Sequence, residues 1–405
     1  MKAISFLGTG KYNTVTYYWQ NKEFKTNLFP EAVAKIFEPE KIFVLITPTV
    51  EIQSRGYIEE LKKNLGSLVE FVIIPEGKKE DEVWRIFEEC SKIVEDGDEL
   101  LFDITHAFRS IPFIVFAVAI YLRRTKNATI RQIIYGAYEA RESGDRVPIF
   151  DLTPLLDLLD WLTGVEFLLR RSDATSISEK LRQIHKTLWR KKVSDELPRK
   201  LESFGKVLGE FSKALHFSRP LDVMKSAAQL LEAIEKVGQE VERWAKPFAA
   251  ILDQVKGEAK KFAYDEPELL NCENLKKQIE LIEHYLEKGL TIQAITLARE
   301  WIVSLVALQK SAENWLKRDF REEIEKVLGD AAARIRGEQR YLPEWFSQLQ
   351  KSEEIAKLWD WLTQLRNDVA HCGMREEALE AEKIERIAKD IPKRLREILN
   401  YNSRR

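Results

Sequence analysis

The stretch Glu99-Leu100-Leu101-Phe102-Asp103-Ile104-Thr105-His106-Ala107-Phe108-Arg109-Ser110-Ile111-Pro112 decides the fold class. A short apolar run ends on a carboxylate, passes through a polar turn, and restarts at Ser110 and Pro112, residue types favoured in the first turn of a helix. That is a buried strand feeding a helix, the repeating unit of an α/β sheet. The same alternation extends over the first 150 or so residues. Strands are predicted at Lys2 to Leu7, Lys41 to Thr47, Leu68 to Ile74, Glu99 to Asp103, Thr129 to Tyr138 and Val147 to Asp151. Helices are predicted at about Pro30 to Phe37, Gln53 to Leu65, Lys79 to Val94 and Ser110 to Arg124. Thr14 to Trp19 and Glu23 to Leu28 flank Gln20-Asn21-Lys22 and read as a β-hairpin insertion. The expected result is a doubly wound, Rossmann-like sheet whose strand-to-helix joins share one edge, the edge at which such folds bind ligands.

Two loops on that edge carry chemistry. Gly8-Thr9-Gly10-Lys11 follows the first strand, where glycines let a backbone approach a phosphate and leave amides free to donate. It is not a Walker motif, because Ser5 stands where the first glycine belongs and Tyr12 where the hydroxyl belongs. The alternative is a tight turn feeding the hairpin. In the second loop, Thr105 and His106 offer hydrogen bonds to phosphate or ribose, and Arg109 can pair with phosphate bidentately. Against this stands a purely structural use, with Thr105 or Ser110 capping the helix, Asp103 pairing with Arg109, and His106 a satisfied loop residue. Two such loops at equivalent strand ends point to a phosphate-lined pocket.

From Pro154 onward the pattern is helical only, opened by Leu155, Leu156, Leu158, Leu159 and Leu162. A charged block from Ser172 to Asp265 is broken near Pro198, Pro220 and Pro247. Further helices are predicted at Leu275 to Leu286, Ile292 to Gln309, Trp315 to Leu328, Ala356 to His371 and Arg375 to Asn400. The expected division is an α/β domain at 1–152, a helical connecting region at 153–270 and a second all-α domain at 271–405.

Near the end stands Arg366-Asn367-Asp368-Val369-Ala370-His371, a cation, an amide and an imidazole within two helical turns. The unperturbed pKa of histidine suits proton transfer from a ribose 2′-hydroxyl, so His371 is a candidate general acid or base. Arg366 would stabilise charge on the phosphate, and Asn367 would orient it. Asp368 is expected to face solvent or pair with a basic neighbour. Residues five apart on a helix are rotated by about 140°, so two copies facing across a dimer axis would converge better than one. The bland reading makes His371 a helix-end residue meeting the negative dipole, with Gly373 as the cap. Trp359 and Trp361 read as core anchors. Arg299-Glu300, inside an apolar helix, reads either as a surface pair or as a buried pair beside the Arg366 helix. His185, His216 and His284 have no partner at metal-ligand spacing.

Net charge is −2, so phosphate recognition must come from a local basic patch. Cys90, Cys272 and Cys372 are scattered and odd in number, which indicates neither a disulfide framework nor a zinc site. A reducing cytoplasm is the expected compartment. No run reaches the roughly 18 uninterrupted apolar residues of a membrane span.

The chain resembles a CRISPR-associated CARF/HEPN ribonuclease of the type III effector class. Gly8-Thr9-Gly10 and Asp103 to Arg109 resemble the two ligand loops of the CARF sensor, and Arg366 to His371 resembles the Arg-x4-6-His motif of HEPN nucleases. The resemblance implies a CARF domain followed by an all-α HEPN region. It implies a homodimer activated by a cyclic oligoadenylate, expected to be the tetra-adenylate. It further implies metal-independent cleavage of single-stranded RNA to a 2′,3′-cyclic phosphate, with Arg366, Asn367 and His371 catalytic. Gly8, Thr9, Gly10, Thr105, His106 and Arg109 would contact the activator. Residues 153–270 carry no matching motif. The rival reading is a non-catalytic nucleotide sensor that recruits a partner or binds nucleic acid.

Overall fold

The structure is a computed structural model that describes residues 1–106, 111–191, 196–374 and 376–402. It divides into two compact units, Met1–Asp160 and Trp161–Arg405. The first runs β1 (Lys2–Phe6), β2 (Val15–Trp19), β3 (Lys22–Thr26), α1 (Phe29–Phe37), β4 (Lys41–Ile46), α2 (Pro48–Gln53), α3 (Arg55–Leu65), β5 (Val69–Ile73), α4 (Glu80–Lys92), β6 (Glu99–Asp103), α5 (Ile111–Thr125), β7 (Thr129–Gly136) and β8 (Arg146–Asp151).

These strands make one sheet in the order β3-β2-β8-β7-β6-β1-β4-β5. Its centre, β7 to β5, is parallel. Apolar residues alternate between its faces at the strand period of two. Ala3, Val44, Leu101 and Ile134 join Val33 of α1 and Leu61 of α3 in one core. Ile4, Leu45, Phe102 and Ile133 join Ile86 of α4 and Val118 of α5 in the other. The sheet is therefore doubly wound, as its sequence pattern predicts. The hairpin is more than an insertion: β2 pairs parallel with β8, and β8 pairs antiparallel with β7, so β2 and β3 lengthen the sheet. Trp19 pairs with Lys22 across Gln20-Asn21, and Gln20 takes φ of 53°, as a two-residue hairpin turn requires. The helix expected at about Gln53 to Leu65 is α3, and a further short helix, α2, precedes it. Thr47 caps α2, accepting from the Val50 amide at 3.3 Å, and the break between the two falls at Ser54, whose hydroxyl bonds the Gly8 carbonyl.

Leaving the β2–β3 hairpin aside, the next parallel strand after β1 is β4, on one side of the β1/β6 pair, and the next after β6 is β7, on the other. The carboxyl ends of β1 and β6 thus flank the topological switch point, where a crevice opens in folds of this kind.

α6 (Pro154–Arg171) carries the chain into the helical unit, followed by α7 (Thr175–Lys191), α8 (Leu201–His216), α9 (Pro220–Trp244), α10 (Lys246–Ala249), α11 (Leu252–Phe262), α12 (Cys272–Glu287), α13 (Thr291–Gln309), α14 (Arg318–Ile335), α15 (Glu344–Ser347), α16 (Ser352–Ala370), α17 (Ala381–Ala388) and α18 (Ile391–Asn402). α13 is long and apolar enough to cross a membrane by composition, but most of it is buried in the protein core. Trp301 on α13 is fully buried, and its indole N–H donates to the Leu275 carbonyl at 2.9 Å, so burial leaves no orphan donor. Two expectations need correction. The last helix is broken into α17 and α18, because Pro392 fits a first helical turn and would clash inside a continuous helix. The helix expected from Trp315 starts at Arg318, and the Trp315 indole N–H instead donates to the Glu268 carbonyl.

Candidate functional site

At the switch point, Ser5 on β1 donates its hydroxyl hydrogen bond to Asp103 on β6, joining the two strands near their carboxyl ends. Asp103 is fully buried, and its other oxygen accepts from the Thr105 amide at 2.8 Å. Burial pushes its carboxyl up to about 6, with the Ser5 and Thr105 hydrogen bonds opposing the shift. Both carboxylate oxygens are thus engaged by their own loop and strand, and the expected pairing of Asp103 with Arg109 falls outside the described residues. Arg109 and Ser110 themselves lie outside the described residues.

The two loops meet. Gly8 is buried while Thr9 and Gly10 are exposed. A Cβ on Gly8 would stand 3.2 Å from the His106 carbonyl, so this close passage of backbone past backbone suits glycine. The Thr105 hydroxyl accepts from the Gly136 amide at 2.9 Å, leaving its own proton available to a ligand. His106 is half-buried. Its Nε2 lies 3.5 Å from the Phe29 amide, in an accepting role, and its ring packs against Tyr12 at 4.0 Å between centroids, tilted by 34°. Desolvation pushes its imidazole down to about 4, so it is neutral at ordinary pH. Tyr12, Tyr57 and Ser54 complete the cluster, and sequence reading did not select them as site residues. Their signal was faint: Tyr12 follows a Gly-x-Gly turn by two positions, but Ser54 and Tyr57 arrive from a different strand-to-helix join.

The second candidate group sits at the end of α16. Arg366 and Asn367 are half-buried on the last helical turns and His371 is exposed at the cap. Among the described residues, none of these three side chains makes a hydrogen bond or ion pair. Asp368 does the opposite of facing solvent. It is 1% exposed and accepts from the Leu379 amide at 3.0 Å, tying the segment after α16 back to the helix. The cap also differs from expectation. The Cys372 amide bonds the Val369 carbonyl and the Gly373 amide bonds the Asp368 carbonyl, a Schellman motif in which Cys372 takes the left-handed position at φ 54°. Gly373 comes one place later.

Arg299 is not an ordinary surface residue. Its side chain is 13% exposed, its guanidinium lies 4.1 Å over the Trp359 ring of α16, and it pairs with Glu325 of α14 at 3.0 Å. Arg299 also pairs with Glu300 at 3.5 Å, as the adjacent charges suggest, and Glu300 pairs in turn with Arg321 at 2.8 Å. Trp359 is buried, as a core anchor should be, and Trp361 is partly buried beneath Arg394.

His284 holds a further arrangement that sequence reading passed over. Its Nε2 lies 2.7 Å from the Ser172 hydroxyl and its Nδ1 lies 3.3 Å from Glu258, distances reminiscent of a serine nucleophile, base and orienting acid. Ser172 is 2% exposed and His284 is 4%, so no substrate reaches the hydroxyl. Desolvation pushes His284 down to about 4, and the group acts as a buried polar tie. Among the described residues, no group of three or more His, Cys, Asp or Glu side chains is placed to share a metal ion.

Residues 2–139 match the family described as CRISPR system endoribonuclease Csx1, CARF domain. The amino-terminal unit is thus similar to the CARF domains of CRISPR-associated proteins. Residues 157–266 match a second family, the second domain of CRISPR-associated protein MJ1674. That protein, from Methanocaldococcus jannaschii, is 31% identical over 112 residues, which cover 27% of this chain and 18% of the relative. The match therefore spans less than a fifth of the relative's length. Enterococcus italicus Csm6 bound to cyclic hexa-2'-fluoro-hexa-dAMP aligns over 99% of this chain and 93% of its own, at 11% identity and a TM-score of 0.40.

Proposed function

We propose that this protein is a cyclic oligoadenylate-activated endoribonuclease of type III CRISPR defence, working in the cytoplasm as a homodimer. The observation that carries the sensor half is the meeting of Gly8 with the Thr105-His106 turn across the β1/β6 switch point of a CARF domain. Backbone amides and hydroxyls there suit the phosphates and riboses of a ring of adenylates, and a tetra-adenylate is the ring proposed. Arg109 follows in the same loop and would supply the cation. Residues 271–405 would form the HEPN domain, and 153–270 the helical region joining it to the sensor.

The catalytic half rests on three uncommitted polar side chains at one helix end. His371 takes the proton of a ribose 2′-hydroxyl, and that oxygen attacks the neighbouring phosphorus. Arg366 stabilises the charge gathering on the phosphoryl oxygens, and Asn367 orients them. The 5′-oxygen leaves with a proton from the second copy's histidine, giving a 2′,3′-cyclic phosphate. No step calls on a metal ion.

The test is incubation of the purified chain with labelled single-stranded RNA and a panel of cyclic oligoadenylates, with chelator present. Ring-dependent cleavage to cyclic-phosphate ends supports the reading, and an Arg109→Ala chain should need more activator. Ring binding without cleavage would leave the non-catalytic sensor as the better account. His371 at a helix carboxyl end, where an imidazole is at home without any chemistry, is the observation in that rival's favour.

A further inference from the structure

The amide that makes Gly8 useful to a ligand is already occupied. Gly8 N–H donates to the Tyr12 hydroxyl at 2.9 Å, closing the loop on itself. The Tyr12 ring is held by two neighbours, packed at a tilt against His106 at 4.0 Å and against Tyr57 at 5.1 Å. Gly10 faces the same ring, 3.5 Å from where its Cβ would be. The loop is thus wrapped around one phenol whose oxygen sits at the mouth of the switch point.

We propose that Tyr12 is a placeholder for the activator: its hydroxyl oxygen occupies the position of a nucleotide phosphate oxygen, and the side chain must leave for the ligand to bind. This rests on the switch point being the activator site. The exchange is like for like at a single amide, one oxygen acceptor for another. A phosphate oxygen wins because a hydrogen bond to an anion is about twice as strong as one to a neutral hydroxyl. Burial holds the Tyr12 phenol above its ordinary range, so it competes as a neutral hydroxyl. Until the ligand arrives, Tyr12 spares the buried Gly8 amide an unmet donor. Once displaced, the ring has its face free for an adenine, since stacking on an aromatic side chain is open to any base. Tyr12 thereby makes the site selective for ligands that bring a phosphate and a base together, because a phosphate alone must displace the phenol without recovering the stack.

Calorimetric titration with cyclic tetra-adenylate and cyclic hexa-adenylate separates the possibilities. Tyr12→Phe removes the competing hydroxyl and keeps the ring, so it should bind about five-fold tighter than wild type, the equivalent of one neutral hydrogen bond. Tyr12→Ala should bind more weakly than Tyr12→Phe, having lost the stack. Without ligand, the Gly8 amide should exchange its hydrogen faster in Tyr12→Phe than in wild type. If wild type binds and Tyr12→Phe binds equally or more weakly, the placeholder is wrong while the site stands. Gly8 exchange unchanged by Tyr12→Phe overturns it also. Failure of both chains to bind any ring removes the site and the placeholder together, and binding by Tyr12→Phe alone supports both.

Discussion

Arg299 lies 4.1 Å over the ring of Trp359 and from there reaches Glu325 at 3.0 Å, so one side chain of α13 ties α14 to α16, the helix that ends in Arg366, Asn367 and His371. A partly desolvated guanidinium over an indole gains more than an exposed pair does, and its removal leaves Glu325 without that cation. Arg299→Ala should lower stability by roughly 1 to 3 kcal/mol, with Arg299→Lys in between because an ammonium does not stack. Urea unfolding followed by tryptophan fluorescence measures this. An unchanged midpoint for Arg299→Ala would mean that α16 is held by apolar packing alone.

The switch point predicts a pH signature. Asp103 is raised from 3.8 to about 6 in the folded chain, so folding favours its protonated form. Its contribution is fully present below about pH 4 and is lost as pH rises through 6. His106 is lowered from 6.5 to about 4, so its contribution is present above 6.5 and is lost as pH falls through 4. Between 4 and 6 the two slopes oppose. Thermal unfolding across that window should show His106→Gln gaining stability relative to wild type as pH falls, and Asp103→Asn losing it. Parallel profiles for both variants would show that neither group titrates in this range.

The architecture of the first unit was legible because alternating apolar runs leave few alternatives to a parallel sheet, and Glu99 to Asp103 forms the strand its sequence predicts. The role of the hairpin was not legible, since pairing of β2 with β8 joins residues more than 100 apart with no local signal. The same limit hid the cluster around Gly8. Its partners Ser54, Tyr57 and His106 come from two other strand-to-helix joins, and a reading along the chain finds loops one at a time. The burial of Asp368 was not legible because a carboxylate next to arginine and asparagine looks solvated. One of its partners, the Leu379 amide, lies beyond the helix end.

The Schellman cap places Cys372, not a glycine, in the left-handed region at φ 54°. A side chain there carries strain that glycine avoids. Cys372→Gly should raise stability by up to about 1 kcal/mol, read as a higher unfolding midpoint. Equal midpoints would indicate that the turn is adopted without strain.

His371→Ala and Arg366→Ala should each abolish RNA cleavage while leaving the unfolding midpoint and activator binding as in wild type. Neither side chain has a hydrogen-bond or ion-pair partner to lose among the described residues. Near wild-type cleavage by either folded variant would remove the catalytic assignment and leave His371 as a helix-end residue.

Cleavage should need two chains. Arg366 and His371 are five residues apart at the end of one helix, and positions so spaced diverge by about 140°. A single phosphate is then poorly served by one copy, whereas two helix ends facing across a twofold axis bring both cations and both imidazoles to it. The proposed chemistry also asks for one imidazole to accept a proton and another to give one, which a lone histidine cannot do in the same step. Mixing a large excess of His371→Ala chain with wild type, under conditions that allow subunits to exchange, should suppress activity beyond simple dilution. If activity falls only in proportion to the wild-type chain present, each copy works alone. A fully active monomer in sedimentation at working concentration would mean the same, and it would also remove the reason for expecting one activator ring to be shared by two sensor domains.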